Sequence, residues 1–362
     1  ELLPTMTAWF TGCHPKQAGD SDFVYRQSVR AKALDSVRGI LPAAALSNLG
    51  IYGTGQGYEA LLLRMRAHPL PEAASYAAMM LEELRKVVPS FLRRVDMADR
   101  GVAWSAYQAG RRHEMTELVG RLLGEVSAVE ADRPEVTLVD FDPDAEDKLV
   151  AAMLYPYSRL PEHQLLDRVR RLSSEEKAQV VRAYCGERAN RRHKPGRALE
   201  RVGYRFDVLS DYGAFRDLQR HRMLTIEWQD LSPGHGYTIP PAVGDADQAP
   251  AFEEAMERSR RLHEALGPDF PVQAGYAVSL AYRVRYVMQF NAREAMHMLE
   301  LRTGAQGHAD YRRVCQEMHR LIAEQAGHKI VADLMTFVDH GSYDLERLDS
   351  ERRAEVRRTG RP

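Results

Sequence analysis

Three basic side chains stand together at Arg220-His221-Arg222, and a second polar set follows at Asn291-Ala292-Arg293, His297 and Leu301-Arg302-Thr303. A guanidinium pairs with a phosphate through two parallel hydrogen bonds, and an imidazole adds a further donor. Residues of these types could hold an anionic group. Asn291 and Arg302 are eleven positions apart, about three helical turns, so one helix can aim both at one site. The plainer alternative is a solvated helix end at Arg-His-Arg, where cations favour the C-terminal dipole, and a capped, salt-bridged helix at Asn291–Arg302. Glu227, Asp230 and Glu300 are the acidic groups placed to neutralise such a cluster. A third basic run, Arg191-Arg192-His193-Lys194-Pro195-Gly196-Arg197, reads as a loop that grips phosphate or nucleic acid, or as a solvated charge run.

These residues need elements to place them. Glu135–Phe141 alternates β-branched and polar residues, as a half-buried strand does, and Val202–Val208 reads as a strand leading into an amphipathic Phe206–Leu218 and the Arg-His-Arg run. Helices are expected over 144–154, 162–171, 174–187 and 247–266, and almost continuously over 274–325; Ser173 followed by Glu175 and Glu176 marks a helix start. Residues 1–30 read as loop followed by a helix start near Asp22. Residues 33–49 read as helical, broken by Gly39 and Pro42. In 59–66 and 71–94 apolar residues recur at three and four steps (Tyr76, Met79, Met80, Leu84, Val87, Val88), with Met65, Met79 and Met80 as core fillers. Residues 102–130 are helical with Leu118, Leu122 and Val126 on one face. Ala131-Asp132-Arg133-Pro134 is the best domain break, and the charged tail after Gly341 reads as a mobile end or a packing arm.

The chain of 362 residues is long for one domain and comfortable for two. Its 50 Lys and Arg against 51 Asp and Glu give a net charge of −1, which argues against a dedicated nucleic-acid binder. Cys13, Cys185 and Cys315 are scattered and odd in number, which suits a reducing compartment and forms no metal-ligand cluster. No apolar run approaches membrane length and no signal peptide opens the chain, so a soluble cytoplasmic protein without membrane contact is expected. The first residue is Glu1, as in a fragment of a longer product.

Arg220-His221-Arg222 with a later Ser232 and Tyr237, followed in order by Asn291-Ala292-Arg293, His297, Leu301-Arg302-Thr303 and Tyr311-Arg312, resembles the two signature blocks of the flavin-dependent thymidylate synthases. The resemblance covers roughly 135–340. It implies an α+β fold with a small, mainly antiparallel sheet flanked by long helices. It also implies methylation of dUMP to dTMP with FAD, methylenetetrahydrofolate as one-carbon donor and NADPH as reductant. Such chemistry asks the protein to bind, orient and polarise, which needs Arg, His and Asn rather than a catalytic triad. By the same resemblance Arg220, His221, Arg222, Asn291, Arg293 and His297 contact FAD, Arg302 and Ser232 take the dUMP phosphate, and Glu227 holds a uracil edge.

The chain departs from that pattern. Nine residues rather than seven separate Arg222 from Ser232, and the family's Ser-x-Arg-Tyr is replaced by Ser232-Pro233-Gly234-His235-Gly236-Tyr237. His235 is therefore the candidate for the arginine that polarises the pyrimidine. Gly275 stands at a second dUMP arginine, Arg201 at a flavin histidine and His297 at a helical Asn. These losses open a second expectation, a non-catalytic FAD- or nucleotide-binding scaffold on the same fold. An ungapped offset of 236 residues also lays 37–81 over 273–317, with Gly39 on Gly275, Leu63 on Leu299 and Arg66 on Arg302. On that basis residues 1–130 are expected to be the back part of a degenerate first copy, whose front part lies upstream. Residues 135–340 are then a whole second copy, 341–362 a tail, and the assembly a homodimer of duplicated chains.

Overall fold

A computed structural model describes residues 1–124 and 134–343, together with Leu348. The chain opens with α1 (Leu2–Cys13) and α2 (Asp22–Val37), followed by α3 (Gly55–Arg66), α4 (Pro71–Arg85), the short α5 (Pro89–Leu92) and α6 (Ala103–Leu123). Strand β1 (Val136–Phe141) leads to α7 (Ala145–Leu154), α8 (Glu162–Val169) and α9 (Ser174–Cys185). Then come β2 (Gly203–Asp211), α10 (Tyr212–Leu218), β3 (Leu224–Trp228), α11 (Pro241–Asp245) and α12 (Ala249–Leu266). The described chain closes with β4 (Arg283–Asn291), α13 (Ala292–Arg302), α14 (Ala309–Glu324) and α15 (Lys329–Asp333). None of these helices is long and apolar enough to cross a membrane.

The elements group into two units. The first comprises Glu1–Ala43, Asp132–His263 and Ala277–Pro362. Its sheet has the order β1-β2-β4-β3 with every pair antiparallel, so the expected small antiparallel sheet flanked by helices is what the chain forms. Alternation explains the two central strands. Tyr204, Phe206 and Val208 of β2 and Val284, Tyr286, Met288 and Phe290 of β4 turn inward onto helices α7, α13 and α14, whose buried side chains share one core with them. A second cluster joins Met6 and Phe10 of α1, Tyr25, Val29 and Ala33 of α2, and Phe252 and Met256 of α12.

The second unit comprises Ala44–Ala131 and Glu264–Tyr276. Its core is small: Leu62, Ala77, Leu81, Leu92 and Val95.

Several expectations are corrected. Residues 274–325 are not one helix, because β4 interrupts them; its Arg-Val-Arg-Tyr-Val-Met-Gln-Phe run has period two rather than 3.6. Residues 224–228, for which the sequence reading gave no element, form a strand as well, held by pairing to β4 although Leu224 and Ile226 are only half-buried and the rest are exposed. Residues 2–13 form α1, and 45–54 form no regular element, with Leu46 and Tyr52 fully exposed. In α4 the buried residues are Ala77 and Leu81, while Tyr76 and Met79 are exposed. The larger apolar side chains there outweigh the alanine that actually faces the core. Ser173 and Glu176 do form a reciprocal capping box at the start of α9. The expected break at Ala131–Arg133, the continuation of α6 beyond Gly124, and the tail from residue 344 on, except Leu348, lie outside the described residues.

Candidate functional site

The two motifs are brought together by neighbouring antiparallel strands. Asp211 at the end of β2 lies opposite Arg283 at the start of β4, and Gly203 lies opposite Asn291. Helices leaving the two strands therefore start from opposite ends of the sheet. Nine residues of strand span about 26 Å, while α10 and α13 together rise about 25 Å, so the two helices run back toward one another. Asp211 starts α10 by accepting from the Ala214 amide at 2.7 Å, and Asn291 starts α13 by accepting from the Glu294 amide at 2.9 Å.

Where the helices meet, His221 is buried and its Nδ1 lies 2.9 Å from Glu294 Oε1. Arg302 donates Nε–H to His221 Nε2 at 3.0 Å. That nitrogen is therefore an acceptor, and the ring proton sits on Nδ1 and points at Glu294. Arg302 also approaches Asp217 Oδ1 at 3.5 Å and lies over the Tyr311 ring at 5.5 Å. Arg220 shares Asp217 at 3.4 Å with most of its side chain exposed, and Arg222 is exposed. The ring of His297 stands 5.5 Å from that of His221. Burial depresses the pKa of His297, and Lys194, His221 and Arg191 push the same way against the opposing pull of Glu294, so it is neutral at pH 7.

His221, Glu294 and His297 each offer a ligand atom within 4.8 Å of the others. A metal there would displace the Nδ1 proton from Glu294 and sit beside the Arg302 guanidinium, so the group reads as a hydrogen-bonded network that sets the Arg302 side chain.

The remaining expected residues are spread more widely. Asn291 is committed to capping α13. Arg293 donates to Glu200 at 2.8 Å, and its buried Nε has no partner. Glu227 is exposed on β3, opposite Val287. Ser232 accepts from the Gly234 amide at 3.0 Å, and His235 ends the 3-10 turn Pro233–His235. That turn is tied to the start of β4, where the Arg283 amide donates to Gly236 at 2.9 Å, at the strand end remote from Asn291. The structure thus gathers His221, His297 and Arg302, with Arg220 at their rim, and leaves Glu227, Ser232 and His235 on the β3 side of the sheet.

Sequence reasoning missed the acids that complete the site. Glu294 and Asp217, not Glu227 and Asp230, face the cluster, and Glu300 is taken by Arg188 instead. The signal for Glu294 was its place three residues after Asn291, a position that suggests capping and nothing more.

The sequence profile of the thymidylate synthase complementing protein family matches residues 137–326. A UPF0159 protein of Chlamydia pneumoniae is 36% identical over 355 residues, covering 98% of this chain and 66% of the relative. One from Chlamydia muridarum is 37% identical over 354 residues with the same coverage, and one from Thermoplasma acidophilum is 32% identical over 341 residues. The chain thus spans 65–66% of the length of these relatives. A crystal structure of a UMP/dUMP methylase PolB from Streptomyces cacaoi, bound with 5-Br dUMP, superposes with a TM-score of 0.42 at 17% identity, covering 56% of this chain and 93% of that one.

Proposed function

Since this chain belongs to the thymidylate synthase complementing protein family, we propose that it binds a dUMP-class nucleotide and FAD and methylates the pyrimidine, with methylenetetrahydrofolate as one-carbon donor and NADPH as reductant. The observation that carries the reading is the Glu294–His221–Arg302 chain, which joins two motifs 81 residues apart into one buried unit. Glu294 fixes the His221 tautomer, His221 fixes the Arg302 guanidinium, and Arg302 keeps donors free for a nucleotide phosphate. The donor set also fits the phosphate-bearing part of a flavin dinucleotide: Arg220 and Arg222 are exposed, and Arg293 Nε is buried and orphaned. When bound, the reduced flavin supplies the electrons that turn the transferred carbon into a methyl group. The chain's own part is to bind, orient and neutralise charge.

A second reading, nucleotide binding without turnover, is favoured by the sequence at two positions, where His235 and Gly275 stand for the arginines of the family signature. An FAD titration and a tritium-release assay on dUMP test the first reading and separate it from the second. FAD-dependent release supports methylation; tight binding of both ligands without release supports the scaffold; binding of neither removes both.

We read the chain as cytoplasmic and as a duplicated sequence that assembles as a homodimer. In support of the duplication, Gly55–Arg66 shifted by 236 falls on 291–302, against α13 at Ala292–Arg302. Pro71–Arg85 shifted likewise falls on 307–321, against α14 at Ala309–Glu324. The counterpart of β4 carries no strand. Light scattering at several protein concentrations tests the dimer, and a single monomeric mass throughout rejects it.

A further inference from the structure

A groove of about 810 Å³ lies wholly within the second unit, between the end of α3 and the first half of α6. A hydrogen bond fixes its two walls: Ser105, the one buried residue of Ala103–Leu123, donates Oγ–H to the Leu63 carbonyl at 3.1 Å. Arg64, next along from Leu63, stands on one wall. Trp104, Tyr107, Arg111, Arg112 and Met115 stand on the other. Their steps of three, four, one and three put them on one face of α6.

This face is apolar and cationic at once. Trp104 and Tyr107 are 56% and 60% exposed, with ring centroids 6.4 Å apart and planes tilted by 53°. Rings at that angle do not stack on each other, so Trp104 is open to an outside planar group. Arg111 lies 5.9 Å from the centre of the Tyr107 ring, and Arg64 Nε donates to the Ala60 carbonyl at 3.1 Å. Among the described residues no carboxylate lines the groove, and none of its three guanidinium groups has a carboxylate partner. A neighbouring cleft, also bounded by Trp104 and Tyr107, carries Glu59 and Asp99 beside Arg94 and Arg100. Opposite charges thus balance on that side of the rings and not on this one.

We propose that the groove between α3 and α6 binds single-stranded nucleic acid, with bases stacked on Trp104 and Tyr107 and phosphates held by Arg64, Arg111 and Arg112. An apolar protein partner would have to desolvate three arginines with nothing to offset the cost, whereas a phosphate chain neutralises them. Paired bases keep their faces inside a duplex, so stacking on exposed rings selects a single strand. Trp104 to Met115 rise about 16 Å along the helix, the length of at most about five phosphates. The net charge of −1 is a sum over the whole chain and leaves room for one groove without carboxylates. No residue of the Arg302 network takes part, so this binding is independent of the function proposed above.

The test is fluorescence anisotropy of the full chain with a labelled single-stranded octanucleotide, as DNA and as RNA, at several salt concentrations. Duplex DNA and an acidic peptide serve as competitors. Arg111→Ala/Arg112→Ala, Trp104→Ala and the control Arg121→Ala, on the same helix but outside the groove, are compared with wild type. All four residues are exposed, and Ala favours helix, so unchanged circular dichroism confirms the fold. Three phosphate contacts give a slope of log affinity on log salt near about −2, falling to about −0.7 in the double arginine variant. That variant should lose at least about tenfold in affinity, and Trp104→Ala at least about fivefold. Arg121→Ala should bind as wild type does. Wild type that binds no oligonucleotide overturns the proposal, as does binding that ignores the groove variants. Equal losses in Arg121→Ala, or duplex held as tightly as single strand, would reduce the groove to general attraction and also overturn it. Displacement of the strand by the acidic peptide at lower concentration than by unlabelled strand would make the occupant a protein segment instead.

Discussion

Removing Arg188 alone should destabilise the first unit severely. The guanidinium and the Glu300 carboxylate are 5% and 1% exposed, and they meet through two contacts at 2.6 Å. The same guanidinium lies 5.1 Å from the centre of the Phe337 ring and donates to the Leu334 and His193 carbonyls. Two effects compete in such a pair: its mutual attraction and the cost of keeping both ions from water. Replacing both ions by apolar groups is close to neutral, whereas deleting one strands the other in the interior at about 3–5 kcal/mol. Arg188→Met is therefore expected to lose about 3–5 kcal/mol, and Arg188→Met/Glu300→Met to recover most of that loss. Urea unfolding followed by tryptophan fluorescence measures both. In a Trp104→Phe background the remaining signal comes from Trp9 and Trp228, which lie in the first unit. Arg320→Ala is the control, since its ion pairs with Glu317 and Glu324 are about half exposed, and it should leave the midpoint in place. A loss below about 1 kcal/mol in Arg188→Met, or a double variant no more stable than the single, would refute the reasoning.

Glu294→Gln keeps the size of the side chain but removes the charge that accepts from His221; dUMP affinity should fall about tenfold, the equivalent of roughly 1.4 kcal/mol. An unchanged dissociation constant would mean that Arg302 is positioned without His221. Burial raises the Asp211 carboxyl to about 7, with Asp310 adding to the shift. Its folded pKa thus lies above the unfolded 3.8, so the stability it contributes at low pH is lost as pH rises through about 7, at no more than about 1.4 kcal/mol per pH unit. Asp211→Asn retains the Oδ1 cap on α10, and between pH 4 and 7 its stability should fall less steeply than that of wild type. His308, Asp310 and Arg313 stand beside the position in both proteins, and parallel curves would refute the assignment. Burial also pushes the Cys185 thiol up to about 11 and the Cys315 thiol to about 12, whereas Cys13 is exposed. Native protein at pH 8 should therefore release one equivalent from a disulfide reagent and three after denaturation, and two or more before denaturation would contradict the burial.

Local pattern alone determined a good part of this protein. The alternation of Val136–Phe141, the Ser173 capping box, and the order and spacing of the two polar motifs are properties of neighbouring residues, and they gave the sheet type, helix starts and family. The strand β4 was equally legible in its period of two, but the strong helices on either side masked it. Tertiary structure decided what each polar residue is for. Asn291 and Arg302 lie on one helix as the spacing implies, yet Asn291 caps its own helix while Arg302 reaches His221. Which carboxylates neutralise the cluster depended on how α10 and α13 run back across the sheet, and so Glu294 and Asp217 took the places expected of Glu227 and Asp230. Likewise the basic run at Arg191–Lys194 reads in the sequence as a phosphate-gripping loop or a solvated charge run, and only folding fastens its flanks, through Arg188 and Glu200, to the helix that carries His297. Hydrogen-bond distance is a relation between positions that the chain brings together only on folding, and the short-range periodicities of a sequence carry no record of it.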